Sequence, residues 1–540
     1  MQSRAQVFRQ PTETIAAASL PKSPGQAQAR PCEASTAGLG GACCRANLSA
    51  GDSCFPFTSS FSHPSMTEPI NKAAASGSAS AAGPSAEVYE QKDEAYFGYY
   101  SMLSHQAQML QDTVRTAAYQ RAIFNNARDF QDKVVMDVGA GNGILSFFSA
   151  QAGAKKVYAI EASNMVECLR HVVNASDRNS SSKAAAGSSE AEEVRNEAEI
   201  LELMGASDAS ATPATGGLFG TTNPAESRNA WLQGRLVPVH SKVEDVTSEH
   251  LHGHTQVDTI VSECLGVLLV HERMCESFLD ARDRFLAPGG SVFPSAGTIC
   301  LAPFEDKQLW NDTANKAKWW LNNNFYGVDV SPFAKLAFEE NFSSPVVGVF
   351  APQCLLSVSS DYVIDFATIT KQHLQEFTVP VEWTFAHAAI VHGLGGWFDL
   401  HFNSQSAPNE DATMNDASTT GGAMSVEAAL DTLKAASGTA MDAVLNTLPT
   451  VDTANTANFM TTSPYADATH WQQVRFLLQE PLAVNRGQKL GGSVHCKVND
   501  QRSYTMTAQL RLQNPDGTAS DSSITTRKAV WRLDRQTYSW

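Results

Sequence analysis

An α/β unit followed by an antiparallel β unit is the fold class this sequence predicts, and three observations carry it. The first is a strand, a glycine-rich turn and an apolar helix start at 133–145, followed by a second strand at 156–161 that ends in an acid. The second is Val257-Asp258-Thr259-Ile260-Val261, which reads as a buried parallel strand running into Ser262-Glu263. The third is a change of pattern from Gly297 onward. There, short alternating runs such as 356–359, 377–379 and 509–512 read as antiparallel strands.

At 540 residues and 43% hydrophobic content, the chain can hold two or three domains and a sizeable core. No run of about eighteen apolar residues occurs, so no membrane span is expected. A formal charge of -17 argues against direct nucleic-acid binding and suits a basic, Arg-rich protein partner. The ten cysteines are scattered without paired metal spacing, which points to reduced thiols in an intracellular compartment.

In chain order, residues 1–87 are rich in Ala, Ser, Gly and Pro without sustained periodicity and read as a disordered leader. Arg4, Arg9, Lys22 and Arg30 face only Glu13 among the first 31 residues, a composition that an organelle transit peptide shares. From Tyr96 to Asn126 the apolar residues recur at helical spacing, with no Gly or Pro after Gly98. Tyr96 and Tyr100 fall on one face, and Met109, Asp112 and Arg115 follow at i+3 steps. Taken alone, these are a core stripe and a solvated face.

A ligand site follows. A buried strand that includes Asp137 runs into Gly139, Gly141 and Gly143, which let the backbone pass close to a ligand. Glu161 ends the next strand about twenty residues on, where an acid can accept both hydroxyls of a ribose. The spacing is G-x-G-x-G rather than G-x-G-x-x-G, which favours S-adenosylmethionine over a dinucleotide. A Ser-, Ala- and Gly-rich insertion spans about 176–230, and the sheet resumes at 235–240. Glu244 is placed to reach an adenine amino group. His250, His252 and His254 alternate in a polar loop without a nearby Cys, and no metal is assigned to them.

Glu263 and Glu272 stand at either end of a short apolar turn that contains Gly266. Placed at the rim where open α/β sheets bind ligands, two acids can clamp a planar cation, and guanidinium matches carboxylate geometry best. The ordinary alternative is a strand-loop-helix corner with Glu263 as a cap and Glu272 solvated. Beyond the turn signal at 286–290, residues 305–326 form a helical excursion carrying Trp310, Trp319, Trp320, Phe325 and Tyr326. So many aromatics suit either a docking surface or a satellite core. A second low-complexity insertion covers about 404–458, and Thr469-His470-Trp471 begins ordered chain again.

From Tyr89 to near the C-terminus the chain resembles the protein arginine N-methyltransferases, closest to the coactivator-associated, type I (type 4) histone-arginine branch. The resemblance rests on Tyr96-Phe97-Gly98-Tyr99-Tyr100, the run 109–116, Val138-Gly139-Ala140-Gly141-Asn142-Gly143, Glu161-Ala162-Ser163, Lys242-Val243-Glu244, the paired-acid stretch and Thr469-His470-Trp471. It implies N-terminal helices and a Rossmann-like cofactor domain over 88–293, then a β-barrel-like domain over 294–540. A dimerisation arm at about 305–330 is implied as well. Within the site, Arg115 would grip the methionine carboxylate, Glu161 the ribose and Glu244 the adenine of S-adenosylmethionine. Phe97, Asp137, Gly139, Gly141, Gly143, Ala162 and Val243 would complete the cofactor site, with Tyr96 and Tyr100 as its lid. Glu263 and Glu272 would hold the substrate guanidinium, Met109 would shape how it sits, and His470 would pair with Asp112.

The implied activity is formation of mono- and asymmetric dimethylarginine on Arg-rich proteins such as histone tails or RNA-binding proteins, by a homodimer of the nucleus and cytoplasm. A catalytically silent dimeric adaptor is the competing expectation, against which retention of Glu263, Glu272, Arg115 and His470 weighs. Cys264, Val267 and His271 depart from the family pattern, which bears on acceptor preference more than on catalysis.

Overall fold

The computed structural model describes residues 93, 96–181, 229–405, 458–516, 518 and 525–539, so the leader and most of both insertions lie outside the described residues. The segment read as one helix from Tyr96 to Asn126 is instead three pieces. Residues 96–100 make a helical turn, followed by α1 (Leu103–Gln111) and α2 (Thr113–Asn125). The second break has a cause that spacing does not reveal. Asp112 leaves the helical region (φ -69°, ψ 88°), and its carboxylate accepts from the Arg115 amide at 2.9 Å, capping α2.

The first sheet has five strands, β1 (Val134–Val138), β2 (Lys156–Glu161), β3 (Leu236–His240), β4 (Val257–Ser262) and β5 (Leu286–Phe293), in the order β3-β2-β1-β4-β5. Every neighbouring pair is parallel. The apolar strands β1 and β2 are buried along nearly their whole length, as a sheet covered on both faces requires. Helices α3 (Ile144–Gln151), α4 (Met165–Ser181) and α5 (Met274–Phe285) accompany it. The chain runs outward through β2 and β3, then returns to place β4 on the other side of β1. That reversal opens a crevice at the carboxyl ends of β1 and β4. The turn signal at 286–290 falls inside β5, where the pairing with β4 skips from Leu286 to Ser291 and Gly289 takes φ +77°.

Among the described residues, the second half holds two sheets, antiparallel throughout except for one short parallel pair between Thr537–Tyr538 and Val346–Val347. One has seven strands: β6 (Ala296–Phe304), β7 (Val346–Val347), β8 (Ser360–Asp365), β10 (Ala389–His401), β11 (Phe459–Thr461), β12 (Val474–Val484) and β16 (Thr537–Tyr538). The other has four: β9 (Glu376–Thr384), β13 (Lys489–Val498), β14 (Tyr504–Gln513) and β15 (Thr526–Arg532). Strict alternation of exposed and buried residues along β9 shows one face turned inward. Trp383 on β9 and Trp531 on β15 cross that interior, donating their indole N–H groups to the carbonyls of Leu301 and Leu477 in the larger sheet. The alternating run 356–359 is not a strand. The Leu356 amide bonds to Pro303 and the Ser357 hydroxyl to the Thr384 carbonyl, so this segment bridges the two sheets rather than pairing within either.

The aromatic excursion is longer than its sequence signal. Helix α6 (Lys307–Lys318) is followed by a turn and by α7 (Phe333–Ser343), which packs back against it. Trp310 at its base is half-buried, packed on the core residue Phe342 and donating to the Leu478 carbonyl at 2.9 Å. Trp319 and Tyr326 toward the tip are 55% and 93% exposed. The base therefore packs as a satellite core, while the aromatics toward the tip are exposed.

Candidate active site

The crevice holds a cavity of about 420 Å³, within the usual size range of small-ligand sites. Its floor is the glycine turn after β1. Gly139 and Gly141 have φ of +70° and +53°, conformations that a side chain resists. A Cβ on Gly141 would also press on the Gln106 side-chain oxygen. The Glu161 carboxylate accepts from the Gly141 and Ser163 amides, each at 2.7 Å, and so is oriented while keeping acceptor capacity toward the cavity. Ala162, Val243 and Glu244 line the same wall, with Glu244 accepting from the Ser277 hydroxyl at 2.6 Å.

Two residues assigned to the cofactor stand behind this wall. Asp137 is fully buried and accepts from the Ser146 hydroxyl at 2.7 Å, and burial pushes its carboxyl up to about 7. Gly143 takes φ +87°, which a side chain resists, and a Cβ there would press on the Leu169 side chain of α4. Their parts are structural: they fix the turn that carries Gly139 and Gly141.

The paired-acid loop is held in an unfavourable backbone shape. Leu268, Leu269, Glu272 and Arg273 all have φ between +54° and +72°. Such residues cost about 1–3 kcal/mol each and persist where surroundings over-determine them. Here the Gly266 amide bonds to the Leu269 carbonyl, Arg273 pairs with Glu276, and the Trp471 indole donates to the Leu265 carbonyl at 3.1 Å. Gly266 has no substitute, since a Cβ would collide with the His271 carbonyl. Burial holds the His271 imidazole below its ordinary value, so the ring is neutral, and its Nδ1 meets the Ser503 hydroxyl at 2.8 Å.

The two acids face the cavity with different partners. Glu263 Oε2 receives Nε and Nη2 of Arg115 at 3.2 and 3.0 Å, while Arg115 Nη1 donates to the Met109 carbonyl. Glu272 Oε2 accepts the Tyr96 and Tyr100 hydroxyls at 2.9 and 2.6 Å. Burial, and then the Glu272 charge, hold both phenols well above their ordinary value, so they remain donors. The ordinary reading of Glu272 as a solvated corner residue fails on these contacts, and Tyr96, Phe97, Tyr100 and Met109 all line the cavity.

Asp112 and His470 lie outside the cavity wall, joined to one another. The Asp112 carboxylate takes the His470 amide at 2.8 Å and its Nδ1 at 2.7 Å. Burial works to raise the Asp112 carboxyl, but the bonds from His470 and from the Arg115 amide outweigh it and hold it below its ordinary value.

Other cavity residues escaped the sequence reading. Gln106 lies one turn before Met109 on the same buried face of α1. Its side-chain oxygen takes the Asn142 amide and side chain, while its Nε2 reaches the Tyr100 carbonyl. A glutamine at i-3 from Met109, on the same helical face, was the available signal. Asp93 and Arg502 also line the cavity, from positions too distant in sequence for any pattern to join them, as does Lys242, part of the Lys242-Val243-Glu244 motif but assigned no role.

With this geometry in place, three comparisons bear on the chain. A model described as the arginine methyltransferase oligomerization subdomain matches residues 295–421 and 422–516. A rice relative (Oryza sativa subsp. indica), named a probable histone-arginine methyltransferase CARM1, is 34% identical over 411 residues, covering 76% of this chain and 58% of the relative. A Drosophila yakuba relative, the histone-arginine methyltransferase CARMER, is 33% identical over 430 residues, 80% of this chain and 60% of the relative. The chain thus spans about three-fifths of the length of these relatives. The solved structure of Arabidopsis thaliana protein arginine methyltransferase 10 shares the fold, with a TM-score of 0.56 and 24% identity across 81% of this chain and 100% of that one.

Proposed function

The chain belongs to the protein arginine methyltransferase family, and from that premise we propose that it transfers methyl groups from S-adenosylmethionine to arginine side chains of proteins, histone tails among them. The observation that carries this reading is the meeting of Glu263 and Glu272 with Gly141 and Glu161 on one cavity. The residues present fit the cofactor. Glu161 lines the cavity with acceptor capacity that suits a ribose, Glu244 lines it with acceptor capacity that suits an adenine amino group, and Arg115 uses three of its five donors on Glu263 and Met109, leaving two for a carboxylate. When bound, the cofactor supplies a methyl on a positively charged sulfur.

The chain's own residues do the rest. A guanidinium is protonated at physiological pH and is a poor nucleophile. Glu263 and Glu272 draw its positive charge toward the nitrogens they hold, leaving electron density on the nitrogen that faces the methyl. Fixing both acids before the substrate arrives is the form of electrostatic help that needs no reorganisation at the moment of reaction. To reach Glu272, the guanidinium shares or displaces the two phenols on Oε2. The proton that leaves the methylated nitrogen passes to Glu272 in the cavity, with His470, held by Asp112 outside the cavity wall, as a later acceptor. We take asymmetric dimethylarginine as the final product, following the type I branch that the motifs resemble.

Mass spectrometry of a broad panel of Arg-rich peptides after incubation with S-adenosylmethionine tests the reading. Methylarginine with a +14 or +28 Da signature, resolved into the asymmetric form by fragmentation, is about what the proposal expects. No methylated arginine on any peptide would favour the silent adaptor.

A further inference from the structure

Three charged side chains from distant parts of the chain meet at the cavity. Asp93 precedes the helical turn at 96–100, Lys242 follows β3, and Arg502 sits in the turn between β13 and β14. The Asp93 carboxylate pairs with Lys242 Nζ at 2.8 Å through Oδ2, and with Arg502 Nη1 through Oδ1. All three line the cavity.

Each cation also rests on the tyrosine-bearing segment. The Arg502 guanidinium lies 4.4 Å from the centre of the Tyr96 ring, and its Nη2 reaches the Met274 sulfur at 3.8 Å. Lys242 lies 5.5 Å over the Phe97 ring. Arg502 adopts φ +49°, a left-handed shape for a residue with a side chain, and its buried Nε has no hydrogen-bond partner among the described residues. An arginine held in strained backbone with an unsatisfied donor is placed by contacts elsewhere on its side chain, and those contacts are Asp93 and Tyr96.

We propose that Asp93, Lys242 and Arg502 form an ionic latch that holds the Tyr96–Tyr100 turn closed over the cofactor cavity, so that the β half of the molecule helps to retain a ligand of the α/β half. This rests on the cofactor reading given above. Asp93 is the anion that pairs with both cations, and without it Lys242 and Arg502 lose the charge that joins them. Closure then positions the Tyr96 and Tyr100 hydroxyls on Glu272, which makes the three charged groups positioning residues for the acid. Because the side chains keep 24% to 41% exposure, the latch weakens as salt screens it.

The test compares the full chain with Asp93→Asn and Arg502→Ala, using S-adenosylhomocysteine as the probe. Calorimetry should show affinity reduced about fivefold to tenfold in each variant, and a double variant no weaker than the worse single one, as for partners in one contact. The parent's affinity should fall from 50 to 500 mM salt by about the same factor, while the variants respond less. Hydrogen exchange at 96–101 should slow on ligand addition in the parent and stay fast in the variants. Asp93→Asn is nearly isosteric and precedes the folded core, so a folded variant is expected where Arg502→Ala proves unstable. A parent that binds and folded Asp93→Asn protein that binds equally, with equal protection, overturns the latch alone. A parent that fails to bind the probe overturns the cofactor reading and the latch together.

Discussion

Glu161 shows how much one side chain of this site is settled before any ligand arrives. Its two oxygens are fixed by the Gly141 and Ser163 amides, so the carboxylate cannot turn away from the cavity. Glu161→Ala should weaken S-adenosylhomocysteine binding by about 1–3 kcal/mol, the usual effect of leaving hydrogen-bonding groups unpaired. Calorimetry showing unchanged affinity in a folded variant would remove Glu161 from the site. This residue was legible in the sequence because strand, glycines, strand and acid follow one another locally. Arg502 was not, because its partners lie 228 and 409 residues away and no local pattern encodes them. Asp137 and Gly143 were legible as conspicuous residues but not in their roles, since only packing separates a wall from what stands behind it.

At the scale of an element, the paired-acid loop is the part whose shape matters most. Its left-handed residues point Glu272 back toward Glu263, and Gly266 is where the loop doubles over the His271 carbonyl. Gly266→Ala should therefore displace Glu272 and lower turnover by about a hundredfold, the order expected for an ångström of misplacement. Affinity for S-adenosylhomocysteine should stay within about twofold, because the glycine turn after β1 is a separate element. Equal loss of both would mean that the loop and the cofactor floor unfold together. The sequence marked this glycine but carried no sign of the left-handed run at Leu268 and Leu269, which apolar side chains ordinarily avoid. In the same way, helical periodicity ran through Asp112 because the break is fixed by His470, 358 residues on.

For the whole molecule, the change from helical to alternating pattern near Gly297 marks the join of parallel and antiparallel sheets, between β5 and β6. The pairing order within the antiparallel half was not readable, because alternation gives a strand its faces but not its neighbours. The arm divides into a buried base and an exposed aromatic tip. Deleting it whole would remove the core residue Phe342 and the Trp310 packed on it, so the sharper variant is Trp319→Ala with Tyr326→Ala. We expect a homodimer in which each tip covers a surface of the other subunit, and this double substitution should yield monomer by light scattering with the melting temperature little changed. A variant that remains dimeric at micromolar concentration would place the interface elsewhere.

Methyl transfer by this site depends on Glu272 acting through its charge. Glu272→Gln keeps the shape and still accepts from Tyr96 and Tyr100, but it no longer draws positive charge from a guanidinium. Single-turnover methylation of an Arg-rich peptide, followed by mass spectrometry beside a thermal melt, measures this directly. The expected result is a rate lowered by about a hundredfold or more, with S-adenosylhomocysteine affinity and melting temperature nearly those of the parent. Methylation of arginine by Glu272→Gln at the parent rate would contradict the paired-acid mechanism.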